Sequence, residues 1–369
     1  MGLTEELEKI RPTIRTDSYP MSIGEWISLY QNGEIDIHPE FQRFFRWSES
    51  QRTLLIESIL LGIPIPPIFV SQRENGVWDV IDGLQRLATI YQFVGILKDE
   101  NATPIPPLIL EKTKYLPSLE GKVWHDENDP SKSFDSAQRL FIKRAKLDVN
   151  IILRESSELT KFELFQRLNT GGTPLTDQEI RNCILVQINK NMYDWLRSMA
   201  NYESFRNCTL LSERAIEEQY DLELALRFVV FRNIGEDELG SIGELGDFLT
   251  DNMIKLAQSR DFDYSSEQEA LTQTFDILFG STGEDCFRRY DPAKQKFLGG
   301  FLVTPFEIFA IGMGANYRNV AASRPDIRAK VVHFWTNYPQ EIRAGSGIRA
   351  STRIPTTIHY GRNLFRHEN

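Results

Sequence analysis

Four residues in one short stretch have the types and spacing to hold an anion. Asp82, Gly83, Gln85 and Arg86 lie where a β-branched block, Val77-Trp78-Asp79-Val80-Ile81, gives way to a segment of different period. In that second segment Leu84, Leu87, Tyr91 and Val94 recur at three- and four-residue steps. The first block predicts a strand and the second one face of a helix, so a strand turns through Asp-Gly into a helix whose first turn carries Gln85 and Arg86. The first N–H groups of a helix lack internal partners, and the helix dipole favours negative charge there. An arginine beside those donors makes a seat for a phosphate or carboxylate. The same residues also fit a second pattern. Asp82 and Gln85 have capping-box spacing, with Asp in place of the usual Ser or Thr, and a cap would occupy the donors itself. The cap accounts for Asp82 and Gln85 but leaves Arg86 without a partner, and both patterns stay open at this point.

The elements around this turn must position it. Residues 1–20 read as a polar lead-in. Met21 to Tyr30 predicts a short helix capped by Ser22, with Trp26, Ile27 and Tyr30 along its apolar edge. Glu34 to His38 alternates and predicts a short strand. Phe41-Gln42-Arg43-Phe44-Phe45-Arg46-Trp47 interleaves two arginines with four aromatics, which serve as core anchors or as a second anion-binding arm. Ser48 and Gln51 predict a capping box on a helix that buries Leu54, Leu55, Ile59 and Leu60 and stops at Gly62. Ile68-Phe69-Val70 predicts a strand, and Asn75-Gly76 a hairpin into the strand before Asp82. Residues 96–133 have weak periodicity and predict a long excursion with one short helix, a candidate mobile flap. A helix over 134–144 and a half-buried strand over 147–153 follow. Thr160 and Glu163 cap a helix that ends at Asn169-Thr170-Gly171-Gly172, either a plain glycine stop or a loop that closes over a ligand. Thr176 and Glu179 cap the next helix.

Beyond about residue 190 the spacing is helical, over 190–200, 213–233, 243–259, 266–279, 294–316 and 325–338. The expected architecture is therefore α+β, with a mixed α/β domain over 1–190 and a mostly α-helical domain over 191–369. The tail carries Arg343, Arg349, Arg353, Arg362 and Arg366, by default a solvated helix face and otherwise a contact for a partner or nucleic acid.

Composition narrows the function. The chain has 369 residues, 41% hydrophobic and 25% charged, ordinary values for a globular protein. No apolar run is long enough to span a membrane, and the charged N-terminus is unlike a secretory signal, so a cytoplasmic location is expected. A net charge of −10 argues against a protein that coats nucleic acid. Cys183, Cys208 and Cys286 are far apart in sequence and odd in number, which suits a reducing compartment and argues against a disulfide framework or a cysteine zinc site. The five histidines show no metal-ligand or HNH-like spacing, so a self-contained metal-dependent nuclease is not expected.

Three motifs in order resemble the N-terminal domain family of GmrSD-type restriction enzymes, which has a ParB/sulfiredoxin-like fold with a small mixed sheet. Residues 41–47 are similar to its aromatic-Gln-Arg box. Asp82-Gly83-Leu84-Gln85-Arg86 is similar to its Asp-Gly-Gln-Gln-Arg signature, and residues 165–175 to its Arg-x-Asn-x-x-Gly-x-x-Leu segment, with Glu179 and Arg181 following. The resemblance covers about residues 20–190. It implies a nucleotide-binding, NTP-hydrolysing component of bacterial restriction of modified phage DNA. Asp82, Gln85 and Arg86 would then be catalytic, and Gln42, Arg43, Gly83, Thr89, Asn169, Gly171 and Gly172 would bind the nucleotide, GTP or ATP with Mg2+. Leu84 departs from the signature, at a position that either orients water or packs the helix. Many relatives carry an HNH-type nuclease domain. No such constellation precedes Asn369, so cleavage is expected from an HNH-type partner chain, with DNA met directly or through that partner. The rival expectations are an endonuclease in its own right and a non-catalytic interaction protein with a vestigial pocket. A homo-oligomer stays open.

Overall fold

The computed structural model describes residues 2, 16–37, 47–99, 102–153, 176–323, 325–339, 342 and 349–366. The chain forms two compact units, Met1–Pro174 and Leu175–Asn369. The expected change of character lay some fifteen residues later, at about 190.

The first unit is built on a five-stranded mixed sheet. Its strands are β1 (Thr16–Ser22), β2 (Ile35–Asp36), β3 (Ile68–Gln72), β4 (Trp78–Asp82) and β5 (Lys146–Ile152). Their order is β1-β5-β3-β4-β2. β1 runs antiparallel to β5, β5 parallel to β3, β3 antiparallel to β4, and β4 parallel to β2. The α+β class with a small mixed sheet is as expected. Among the described residues four helices accompany the sheet: α1 (Ile23–Gln31), α2 (Glu49–Leu61), α3 (Leu84–Val94) and α4 (Ser136–Arg144).

Local signals explain most boundaries. Ser22 Oγ accepts from Glu25 N–H and starts α1. Ser48 and Gln51 close the predicted capping box on α2, and Gly62 ends that helix at φ 69°. Asn75-Gly76 makes the β3–β4 hairpin, with Gly76 at φ 85°. The predicted strand over 34–38 shrinks to two paired residues, Ile35 and Asp36.

Two expectations in this unit are corrected. Leu54 is 46% exposed, because α2 turns Leu55, Ile56 and Ile59 inward instead. The 96–133 excursion is packed where it is described, not a flap. Leu108, Leu110 and Leu119 enter the core, and polar side chains of α2 and α3 hold its backbone. Thr53 Oγ1 accepts from Glu111 N–H, Glu57 Oε1 from Leu116 N–H and the Thr113 hydroxyl, and the Gln92 amide donates to Pro106 O.

Among the described residues the second unit is helical apart from one hairpin. In order come α5 (Asp177–Ala200), α6 (Glu203–Thr209), α7 (Glu213–Glu217), α8 (Tyr220–Asn233), α9 (Glu236–Leu239), α10 (Leu245–Gln258) and α11 (Tyr264–Thr282). Thr176 and Glu179 form the predicted capping box on α5. Strands β6 (Arg289–Asp291) and β7 (Lys296–Leu298) pair antiparallel where helix was expected from residue 294. Asp291 accepts from the N–H groups of Ala293 and Lys294, an Asx turn that reverses the chain. Then follow α12 over 303–315, α13 (Tyr317–Ser323), α14 (Ile327–Thr336) and α15 (Ala350–Phe365). α12 contains a π-helical stretch, Phe306–Ile311.

Burial in this unit is both apolar and ionic. Glu223 accepts from Arg181 at 2.7 Å and from Arg227 at 2.6 Å. Glu307, fully buried in the π-helical stretch, accepts from Arg353 and from the Thr357 hydroxyl, each at 2.8 Å. A buried charge is tolerated only when paired in this way. α15 packs closely on α12, since a Cβ on Gly361 would fall 2.3 Å from the Ile308 carbonyl oxygen. The tail arginines are correspondingly not one solvated face. Arg353 serves Glu307, and Arg362 donates to the carbonyls of Phe231 and Ile234 and to Glu236. Arg343 lies outside the described residues.

Candidate functional site

The strand–turn–helix stretch folds as its sequence predicts. β4 ends at Asp82, Gly83 takes the N-cap position at φ 102°, and α3 begins at Leu84. That φ is open to glycine at little cost. The packing also requires glycine, because a Cβ at 83 would lie 2.4 Å from Ile68 Cδ1 on β3.

The capping-box pattern does not form. With β4 running through Asp82, the cap position passes to Gly83, which has no side chain to cap α3. Asp82 turns instead to Arg86. Its Oδ2 accepts from Arg86 Nη2 at 2.6 Å. The other terminal nitrogen of the guanidinium, Nη1, donates to the carbonyl oxygens of Pro66 and Pro67. Arg86 is therefore buried and partnered, which corrects the expectation of an unmatched cation. It ties the extended 63–67 connection to the end of β4 and to the first turn of α3. The sequence held this signal: Asp and Arg stand four apart, the spacing of a helical ion pair.

The neighbours sort by exposure. Asp82 and Gln85 are half-buried, and Gly83, Leu84, Arg86 and Thr89 are buried. Gln85 Oε1 accepts from Trp47 N–H at 3.4 Å, which joins α3 to the start of α2. Thr89 Oγ1 donates to Gln85 O at 2.6 Å, so its hydroxyl serves its own helix. Leu84 is 3% exposed and belongs to the core of the first unit, so position 84 packs the helix. Gln42, Arg43, Asn169, Gly171 and Gly172 lie outside the described residues. Of the expected site, the structure thus brings together Asp82, Gly83, Gln85, Arg86 and Thr89.

A second ionic tie stiffens the hairpin that leads into the site. Arg73 donates to both oxygens of the buried Asp79 and to Asp36 at 2.9 Å. Burial works against the Arg73 charge, but hydrogen bonds and attraction from Asp79 and Asp36 outweigh it and raise its pKa above the ordinary value. The residue that follows β3 is thereby tied to β4 and to the end of β2. Asp82 and Gln85, both half-buried, stand at the rim of this helix N-terminus. Such a geometry can take an anion on backbone N–H groups, with a cation bridged to the carboxylate.

Residues 23–186 match the family model described as GmrSD restriction endonuclease, N-terminal domain. This segment is a GmrSD N-terminal domain. The match begins at α1, contains the Asp82–Arg86 turn, and ends inside α5, so it takes in only the first part of that helix. The family's description ties the domain to restriction endonucleases. No curated protein and no solved structure matches the chain. Among the described residues, no helix is long and apolar enough to cross a membrane.

Proposed function

We propose that the chain is a nucleotide-binding, NTP-hydrolysing regulatory subunit of a bacterial restriction system directed at modified phage DNA. DNA cleavage would come from an HNH-type nuclease partner. One observation carries this reading: within a GmrSD domain, α3 starts at a glycine that has no side chain to cap it, and Asp82, Gln85 and Arg86 surround its first turn. The β- and γ-phosphates of GTP or ATP would sit on the N–H groups of that turn. Arg86 places positive charge beside them and holds Asp82 in position. Among the described residues no three His, Cys, Asp or Glu side chains gather to hold a metal ion. Mg2+ would therefore arrive with the nucleotide, held by its phosphates and one oxygen of Asp82. That oxygen is available because Arg86 engages only the other. Without Mg2+ the Asp82 charge would repel phosphate. Gln85, half-exposed at the rim, would orient the attacking water. Leu84 fills the core and so bears on packing rather than on hydrolysis.

The test measures phosphate release from GTP and from ATP with Mg2+, using wild type and Gln85→Ala. It adds the chain alone to modified and to plain DNA. Release above background that is lost in Gln85→Ala, with the DNA intact, is the expected result. Cleavage by the chain alone would make it an endonuclease in its own right. Tight nucleotide binding with background release would make it an interaction protein with a vestigial pocket.

A further inference from the structure

The three cysteines look unrelated in sequence, yet two of them meet. Cys208 sits in α6, and Cys286 follows the short 3-10 turn Gly283–Asp285 at the end of α11. Their sulfurs are 3.2 Å apart, both side chains are buried, and both are free thiols. Cys208 Sγ also faces Phe275 O at 3.8 Å, and Cys286 Sγ faces Gly283 O at 2.7 Å. A shift of about 1 Å would bring the sulfurs to the bonded distance of about 2.0 Å. We infer that Cys208 and Cys286 form a dithiol modification site, which a two-electron oxidant such as hydrogen peroxide closes into a disulfide that pins α6 to the end of α11.

The surroundings supply a direction and a route. Cys286 is held below the ordinary thiol range by hydrogen bonding from Cys208 and Thr282, which outweighs its burial. Cys208 is pushed up by that same hydrogen bond and by burial. The pair can share one proton between its sulfurs, and the sulfur that has lost its own proton is the nucleophile. Asn207 and Thr209, the neighbours of Cys208, line a cavity of about 340 Å³ together with Arg206 and Leu210. Leu210 ends α6 at φ 38°, a left-handed conformation that leucine rarely adopts. A seven-residue helix with such a stop, beside a cavity, is placed to open locally and admit a small oxidant.

The chemistry balances. The thiolate of the pair attacks a peroxide oxygen, the O–O bond breaks, and hydroxide leaves and takes a proton to become water. The second cysteine then attacks the sulfur of the resulting sulfenic acid, the S–O bond breaks, and a second water leaves. Two thiols and one hydrogen peroxide give one disulfide and two waters. The sulfurs are oxidised and the peroxide is reduced.

The test treats the full chain with stoichiometric hydrogen peroxide and blocks remaining thiols with iodoacetamide in denaturant. The protein is then digested without reductant for mass spectrometry. The expected product is a peptide pair joined through Cys208 and Cys286, released by dithiothreitol, with Cys183 of α5 alkylated. Alkylation of both Cys208 and Cys286, under conditions that fully oxidise glutathione, would overturn the inference. So would Cys286 sulfinic acid beside an alkylated Cys208. A second probe, phenylarsine oxide, bridges adjacent thiols. It should bind the reduced chain one to one, and at least tenfold more weakly after Cys208→Ser or Cys286→Ser. Equal binding to these variants would also overturn the inference. The wild-type peptide map decides alone if a serine variant fails to fold.

Discussion

Gly83→Ala should destabilise the first unit strongly, although it adds one methyl group. Gly83 sits at φ 102°, and the new Cβ would lie 2.4 Å from Ile68 Cδ1 and 3.3 Å from Arg86 Nη2. Forcing an L residue into left-handed backbone costs about 1–2 kcal/mol. Overpacking a filled core adds about 1–3 kcal/mol. Together these give roughly 2–5 kcal/mol, or a fall in Tm of about 5–15 °C for a unit of this size. Circular dichroism on heating, with a urea titration beside it, measures the loss. Ile68→Val removes the clashing Cδ1 and alone should cost about 1 kcal/mol. In the Gly83→Ala background the same change should cost less, or give stability back, so the double mutant falls short of additivity by about 1 kcal/mol. A Gly83→Ala variant within about 0.5 kcal/mol of wild type would refute the close approach of β3 to the turn.

Three further outcomes follow from the same contacts. Arg86→Met should cost about 2–4 kcal/mol in denaturant titration, since it strands Asp82 and the carbonyls of Pro66 and Pro67; Arg86→Lys should not restore it, because an ammonium lacks the fork that reaches both sides. Glu307→Ala should cost about 3–5 kcal/mol by leaving Arg353 without its carboxylate in the π-helical region, and Glu307→Gln should recover part of this. Asp221 has its pKa raised by burial, against pulls downward from nearby backbone N–H groups and from Arg206 and Arg197. A carboxyl whose folded pKa is raised contributes stability that is present below its unfolded pKa and lost as pH rises through the folded value. Asp221→Asn should therefore raise Tm relative to wild type near pH 7, with the advantage vanishing below the ordinary carboxylate range. A constant difference from pH 4 to pH 8 would contradict that assignment.

The strand, the turn and the helix around Gly83 were legible because each carries a local signal: β-branched residues, then Asp-Gly, then apolar residues at helical spacing. The capping-box pattern, one of the two that the sequence leaves open, fails by a single position. Once β4 extends through Asp82, the cap falls on Gly83 and the Asp82 carboxylate is left for Arg86. The partners of Arg86 on the other side are carbonyls of Pro66 and Pro67, and carbonyls leave no mark on a sequence. The same holds for the 96–133 excursion, which is fixed by Thr53, Glu57 and Gln92 bonding to backbone rather than by an apolar period. In the helical unit the periodic helices were readable, whereas the β6–β7 hairpin depends on one Asx turn at Asp291. The Glu223 and Glu307 networks and the Cys208–Cys286 contact join residues tens of positions apart. Only packing brings such groups together. The motifs at residues 41–47 and 165–175 lie largely outside the described residues, so the arms expected to complete the site rest on sequence.

The central claim is that the first turn of α3 binds a nucleoside triphosphate. Isothermal titration of the full chain with GTP and with ATP, in the presence of Mg2+, tests it most directly. Binding of at least one nucleotide is predicted, weakened tenfold or more by Asp82→Asn when Mg2+ is present and lost in Arg86→Ala. No heat with either nucleotide for the wild type, or unchanged binding in Arg86→Ala, would contradict it.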